Sequence, residues 1–346
     1  MKIELFLLFM LAFTIPISFA ESPEEWNRLA DMPEVRSEME AAAIGDKIFV
    51  FGGLNNQGEA TNTVFIYDTK ENTWSMGAPM QVSLHHAGVA SHEEKIYIVG
   101  GYLDGWIPSR TLLIYDASND SWTIGADIPT ARGALTAQFV EDKIYAIGGF
   151  SGITNSENEM YVPETDTWES KSKMPTAREH LASAVLDEKL YVIGGRAGQF
   201  NLNSHEVYNP ETDSWETLEP LPTARSGLTA SVLSDAIFVF GGESALKTFE
   251  ENEAYIPAEG WFSQQPMPIS RHGLASTTVG NNIYVIGGGV VPGFSFSGIT
   301  EAYHNTVIPE FGTLAAIILA VSFFTIIIFT KFRNKIDHSV FQYHKA

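Results

Sequence analysis

Ten residues after each of five tryptophans stands an arginine. Arg36, Arg132, Arg178, Arg225 and Arg271 follow Trp26, Trp122, Trp168, Trp215 and Trp261, while Leu84 holds the same place after Trp74. Within two positions of that place come His85, His86, Glu179, His180 and His272. A guanidinium is a planar fork of donors that grips a carboxylate through two parallel hydrogen bonds. Imidazole and carboxylate side chains move protons near neutral pH. Arg178, Glu179, His180 and His272 are therefore the candidate catalytic set, suited to acid/base work on a small acid. Arg132, Arg225 and Arg271 are candidates to bind that acid. The spacing shows no helical His pair and no compact acidic loop, so no metal is expected, and no Gly-rich phosphate cradle, so no cofactor. The chain has no Cys, which excludes thiol catalysis and Cys-type zinc sites.

A second group of residues is suited to holding a ligand rather than changing it. Tyr102, Trp106, Phe200 and Asn201 fall in irregular stretches rich in Asn, Gln and aromatics. Aromatic faces stack on sugars or peptides and amides supply the hydrogen bonds. Trp106 is the one Trp outside the regular series.

That series defines the elements that must carry these residues. Trp falls at 26, 74, 122, 168, 215 and 261, and in every case a Gly-Gly pair begins 26 residues later. Each unit reads as four short strands. A proline-containing turn follows the Trp, then a strand of small residues such as 181–186. A two-residue turn comes next: Gly45-Asp46, Glu141-Asp142, Asp187-Glu188 or Asn281-Asn282. The second strand is apolar (KIFVF, KIYIV, KIYAI, KLYVI, AIFVF, NIYVI) and ends in Gly-Gly, where the backbone needs room or positive φ. A third strand carries Tyr67, Tyr115, Tyr161, Tyr208, Tyr255 or Tyr303, and a fourth carries the next Trp. Four antiparallel strands at a period of 46 to 48 residues make propeller blades. The sixth unit lacks a following Trp, so the strand around Trp26 is expected to complete it and so close the ring. Loops vary in length mainly after the Gly-Gly, and variable loops on a rigid scaffold are where binding lives.

Gly-Gly ending the second strand, Tyr on the third and Trp on the fourth resemble the kelch repeat, over residues 21–308. The resemblance implies a six-bladed all-β propeller. It also implies that the repeated Arg packs between strands, which stands against its reading as a carboxylate clamp. Some six-bladed exported kelch proteins are sialic-acid mutarotases, so the resemblance admits a sugar-acid mutarotase or epimerase of the N-acetylneuraminate type. The copper oxidases of kelch type are excluded, since their Tyr–Cys cross-link needs a Cys.

Both ends read as membrane-directed. Residues 1–20 combine Lys2, an apolar run and Ser18-Phe19-Ala20, the pattern of a secretory signal. Residues 313–330 carry no charge and would span about 27 Å as a helix, close to the ~30 Å of a bilayer core. Lys331, Arg333 and Lys335 follow, which would hold residues 336–346 in the cytoplasm. Pro309, Glu310, Phe311 and Gly312, ahead of that helix, resemble the PEFG-type sorting signal of archaeal surface proteins, over residues 309–335. That resemblance implies a sortase-like processing partner.

The formal charge is −21, from 21 basic and 42 acidic residues, which argues against nucleic acid as a partner. The sequence thus favours an exported kelch propeller anchored in the membrane at the cell surface. On this reading it is a non-enzymatic module for a surface protein or glycan. The alternatives are an extracytoplasmic sugar-acid mutarotase and a structural envelope component.

Overall fold

The most apolar strand of each repeat is the second, and it lies inside its sheet with a partner on both sides. In Lys47–Phe51 the four residues after the lysine are all buried, and Lys95–Val99 and Lys189–Ile193 repeat the pattern. Two covered faces remove the need for alternation, so these strands read as continuous apolar runs. The structure is a computed structural model that describes residues 26–304. Those residues form six antiparallel four-stranded sheets, and each is one blade.

The first strands, Glu40–Ile44, Gly88–His92, Thr136–Val140, Ala182–Leu186, Thr229–Leu233 and Ala275–Val279, are innermost. They line a central channel of about 410 Å³. Small residues predominate on them because six strands converge there. The expected two-residue turns join them to the second strands, with Asp187 and Glu188 both at positive φ. In the sixth blade the turn is Gly280-Asn281 rather than Asn281-Asn282, because Asn282 already pairs with Val279.

The repeated Trp laces neighbouring blades together. Each indole N–H donates to a backbone carbonyl of the preceding repeat: Trp74 to Ala30, Trp122 to Ala78, Trp168 to Ala126, Trp215 to Ser172, Trp261 to Glu219 and Trp26 to Gln265. The partner Tyr lies directly opposite in register, as Tyr115 does to Trp122. Two hairpins were not legible in the repeat. Tyr102–Leu103 pairs with Ile107–Pro108 after the second blade's Gly-Gly, and Arg196–Ala197 pairs with Phe200–Asn201 after the fourth's.

Trp26–Arg28 pairs with Thr300–His304, with Trp26 opposite Tyr303, and so supplies the outer strand of the sixth blade. This corrects the expected fold class in two respects. First, no closed sheet results: each blade remains a separate four-stranded sheet, and packing with hydrogen bonds between blades, rather than a continuous ladder, joins them. Second, no helix among the described residues is long and apolar enough to cross a membrane. The expected signal (1–20), sorting motif (Pro309, Glu310, Phe311, Gly312), membrane helix (313–330) and tail (336–346) lie outside the described residues. The fold supported is an all-β six-bladed propeller.

Candidate active site at the channel mouth

Twelve residues after each Trp, the backbone of every blade turns left-handed at one position. Glu38, His86, Ala134, His180, Gly227 and Gly273 occupy it, with φ between 50° and 62°. Their amides form a closed circle round the channel. Glu38 N–H donates to Gly273 O, His86 to Glu38, Ala134 to His86, His180 to Ala134, Gly227 to His180 and Gly273 to Gly227, at 2.7 to 3.0 Å. This belt constricts one end of the channel and fixes six side-chain positions around the axis.

Three of those positions carry ionisable groups, and their neighbours extend the set. His86 Nε2 lies 3.2 Å from Glu38 Oε2, and His272 Nδ1 lies 3.5 Å from Glu38 Oε1. His272 also approaches Glu243 at 3.5 Å, while its Nε2–H donates to Val291 O. Arg196 completes the arc: Nε reaches Glu179 at 3.2 Å and Nη1 reaches Glu243 at 3.5 Å. His180 lies beside both Glu179 and Arg196. Three carboxylates, three imidazoles and one guanidinium thus form one continuous network at the mouth. Glu38, His86 and His180 can each present a ligand atom, all within 4.8 Å of one another.

Burial and charge act in opposite directions on these groups. Burial penalises the Glu38 carboxylate, but His86, His272 and His180 outweigh it and hold the group below the usual carboxylate range. Burial likewise works against Glu179, and hydrogen bonding and charge from His180 and Arg196 overcome it. Burial opposes the charged His272, yet Glu38 and Glu243 raise its pKa. Burial dominates at His86, which is pushed well down, and at His85, which is pushed to about 4. Inside the channel Glu40 is raised by burial and by the charge of Glu38.

Trp106 stands at the tip of the unexpected second-blade hairpin, in a left-handed conformation with φ 60°. Its ring contacts His85 and His86, with centroids 4.7 and 5.1 Å away, and packs on Tyr102 at 5.3 Å. Its outer side, 46% exposed, meets Phe294, Phe296, Asn56 and Gln57 around a cleft of about 450 Å³. Trp106 therefore links the mouth network to an aromatic cleft.

The candidates separate into two groups. Glu179, His180 and His272 meet at the mouth, and Tyr102 and Trp106 wall it. Asn201 donates to Glu243 O at 2.6 Å, next to the network, and Phe200 is exposed at the hairpin beside it. Arg132, Arg178, Arg225 and Arg271 are elsewhere. Each is 0% exposed and paired within its blade, with Glu159, Glu206, Glu253 and Glu301 respectively. None lines the channel or the cleft. Three members of the network escaped the sequence reading: Glu38, Arg196 and Glu243. Glu38 shares the twelve-residue offset of His86 and His180, and Arg196 and Glu243 directly follow their Gly-Gly pairs. Reading those two registers across all six repeats would have found them.

The belt, the blades and the Trp lacing define a kelch-type propeller. The model of the KLHDC2/KLHL20/DRC7 Kelch-repeats domain matches residues 20–149 and 85–288, and the chain belongs to this kelch-repeat family. Kelch-like protein 25 of Rattus norvegicus is 39% identical over 64 residues, 18% of this chain and 11% of that protein. Kelch-like protein terF of Aspergillus terreus is 34% identical over 85 residues, 22% of this chain and 18% of that protein. Beta-scruin of Limulus polyphemus is 30% identical over 70 residues, 20% of this chain and 8% of that protein. The chain thus spans a small part of these curated relatives. The solved structure of YjhT superposes with a TM-score of 0.70 at 15% identity, covering 81% of this chain and 98% of that one, a likeness of fold.

These findings correct the functional expectation. The family match stops at residue 288, short of the sorting motif, and nothing in the described residues or the comparisons carries a membrane anchor. The expected cell-surface location, exported state, membrane anchoring and sortase-like partner are therefore withdrawn. The preference for a non-enzymatic module falls as well. The mouth gathers a coherent acid/base set of carboxylates, imidazoles and one guanidinium.

Proposed function

We propose that the chain is a sugar-acid isomerase of the mutarotase or epimerase type, acting at the channel mouth of the propeller (residues 21–308). The observation that carries this reading is the placement of Arg196. Its guanidinium is partly exposed and held from two sides by Glu179 and Glu243. It keeps donors for the carboxylate of a substrate, which a planar fork grips in a fixed orientation. Trp106 and Tyr102 offer a wall for the sugar ring, with Asn201 and Phe200 at the opposite edge.

The chemistry needs one base and one acid. A mouth carboxylate, Glu179 or Glu243, takes the proton of the anomeric hydroxyl. The bond between the anomeric carbon and the ring oxygen breaks, and the ring oxygen receives a proton from the His272 imidazole. Rotation in the open-chain form and the reverse steps return the other anomer, with no net change in protons. Arg178, Arg132, Arg225 and Arg271 take no part and serve as internal struts.

The test is NMR saturation transfer between the anomers of N-acetylneuraminate. The purified chain should accelerate exchange well above buffer. Loss of a charged hydrogen-bond donor costs about 1.5–3 kcal/mol, so Arg196→Ala should lower the rate roughly ten- to hundredfold. Exchange no faster than in buffer, for this and other sugar acids, refutes the assignment.

A further inference from the structure

We infer that Glu38, His86 and His180 form a binding site for one divalent transition-metal ion of the zinc type. Nothing in the family match or the relatives assigns such a site. It does not rest on the isomerase reading, because metal uptake is measured with no sugar present.

The first ground is the donor set. Two imidazoles and one carboxylate are the ligands that zinc and its first-row neighbours prefer, and three protein ligands leave a position for water. Ligands about 2.1 Å from a tetrahedral ion stand about 3.3 Å apart. Glu38 Oε2 and His86 Nε2 are 3.2 Å apart, and a ligand atom of His180 lies within 4.8 Å of both. His180 closes that distance by side-chain rotation, with Nδ1 on the side of Glu179.

The second ground is the surrounding shell. Histidines that hold metals are oriented through their other ring nitrogen, and ligating carboxylates through their other oxygen. His86 Nδ1 is 2.5 Å from His85 Nδ1, which fixes the ring with Nε2 toward Glu38. His180 has Glu179 beside it at 3.4 Å, and the second oxygen of Glu38 faces His272.

The third ground is the shared left-handed backbone position. At this point of the repeat the fifth and sixth blades use Gly227 and Gly273, which adopt positive φ freely. Glu38, His86 and His180 adopt it at 54°, 53° and 50°, as does Ala134 of the third blade at 50°. The belt thus sets the backbone in every blade, and at three of its positions it turns a ligand side chain toward one point. The three ligands share the twelve-residue offset from the repeated Trp, one in each of three blades.

Glycine supplies the test variants, since it accepts the same backbone. The full-length chain, stripped with chelator, is titrated with Co²⁺ and followed by visible absorption, then back-titrated with Zn²⁺. One equivalent of Co²⁺ should bind with a d–d spectrum of four- or five-coordination, and Zn²⁺ should displace it. His86→Gly and His180→Gly should each weaken binding at least ~10-fold. Glu38→Gln, which leaves the side-chain volume unchanged, should do the same and decides the matter if a glycine variant fails to fold. His92→Ala, at an exposed His–Asp pair outside the donor set, should bind as wild type. Absence of stoichiometric Co²⁺ uptake, or wild-type affinity in Glu38→Gln and the foldable glycine variants, overturns the inference.

Discussion

A buried arginine is stable only as one half of a pair, and the repeats show both ways of meeting that condition. Arg178 is fully enclosed, pairs with Glu206 and donates to Thr176 O and Val192 O, each at 2.9 Å. In the second blade Leu84 and Leu113 take the corresponding places and pack in one apolar cluster. In the first blade Arg36 pairs with Glu34, 2.5 Å away, and lies over the Phe65 ring, 5.6 Å from its centroid. Removing one partner of a buried pair leaves a naked charge and costs about 3–5 kcal/mol, whereas a well-packed apolar replacement of both is often neutral. Glu206→Leu should therefore lower unfolding free energy by about 3–5 kcal/mol in urea titrations. The double variant Arg178→Leu/Glu206→Leu should recover most of that loss, and equal losses in the two would refute the pairing argument. A second buried group responds to pH. His205 is enclosed against Tyr255 and Trp261, its Nδ1–H donates to Glu219 O, and burial pushes its pKa down to about 4. An unfolded histidine titrates near 6.5, at about its reference value. As pH falls through 6.5 the unfolded chain takes the proton first, so the stability His205 contributes is present above about pH 6.5 and is lost progressively towards pH 4. His205→Leu should flatten the slope of unfolding free energy against pH by close to ~1 proton between pH 5 and 6. An unchanged slope would show that His205 titrates alike in both states.

The blade strands were legible because each has a local cause. The second strands announce themselves by β-branched and aromatic runs, and their ends by Gly-Gly, where a Cβ on Gly52 would stand 2.3 Å from Leu84 O. The Trp–Tyr register follows from the fixed offset between those residues, as Tyr161 opposite Trp168 confirms. The turn at Gly280-Asn281 was misplaced by one residue because Asn282 is an equally good turn former, and only pairing with Val279 decides. The two short hairpins were illegible for a different reason. With two residues per strand they have no periodicity to read, yet they place Trp106 and Arg196. The site was half legible. His85, His86, Glu179, His180 and His272 were visible as chemistry, but Glu38 and Glu243 looked like ordinary acids in an acidic chain. The repeated arginines drew attention by their regularity, which reflects the demands of packing: every one except Arg36 has a carboxylate on the third strand of its own blade.

The ring is held by contacts between residues at opposite ends of the described chain, and this makes its last blade different from the others. Trp168 is held by residues of its own and the preceding repeat, contacting Tyr161 at 5.1 Å and donating to Ala126 O at 2.7 Å. Trp26 makes the equivalent contacts with residues far away: Tyr303 at 5.1 Å, Phe240 at 5.6 Å and Gln265 O at 3.1 Å. Its strand has only three residues, so the indole provides much of what keeps it docked. Closing so long a loop carries an entropic cost that the contacts of Trp26 must offset. The chain contains no disulfide to share the task. Truncating a buried Trp to Ala costs about 3–5 kcal/mol, so both Trp168→Ala and Trp26→Ala should lower stability by that order. They should differ in where protection is lost. In Trp26→Ala the short strand should detach, leaving Thr300–His304 as a free edge whose amides on that side exchange rapidly under native conditions. In Trp168→Ala the neighbouring strand Asn158–Val162 remains embedded in a locally connected hairpin and should keep its protection. Hydrogen exchange followed by mass spectrometry separates the two outcomes. Equal protection of Thr300–His304 in both variants would mean that packing between blades, rather than the returning strand, holds the ring together.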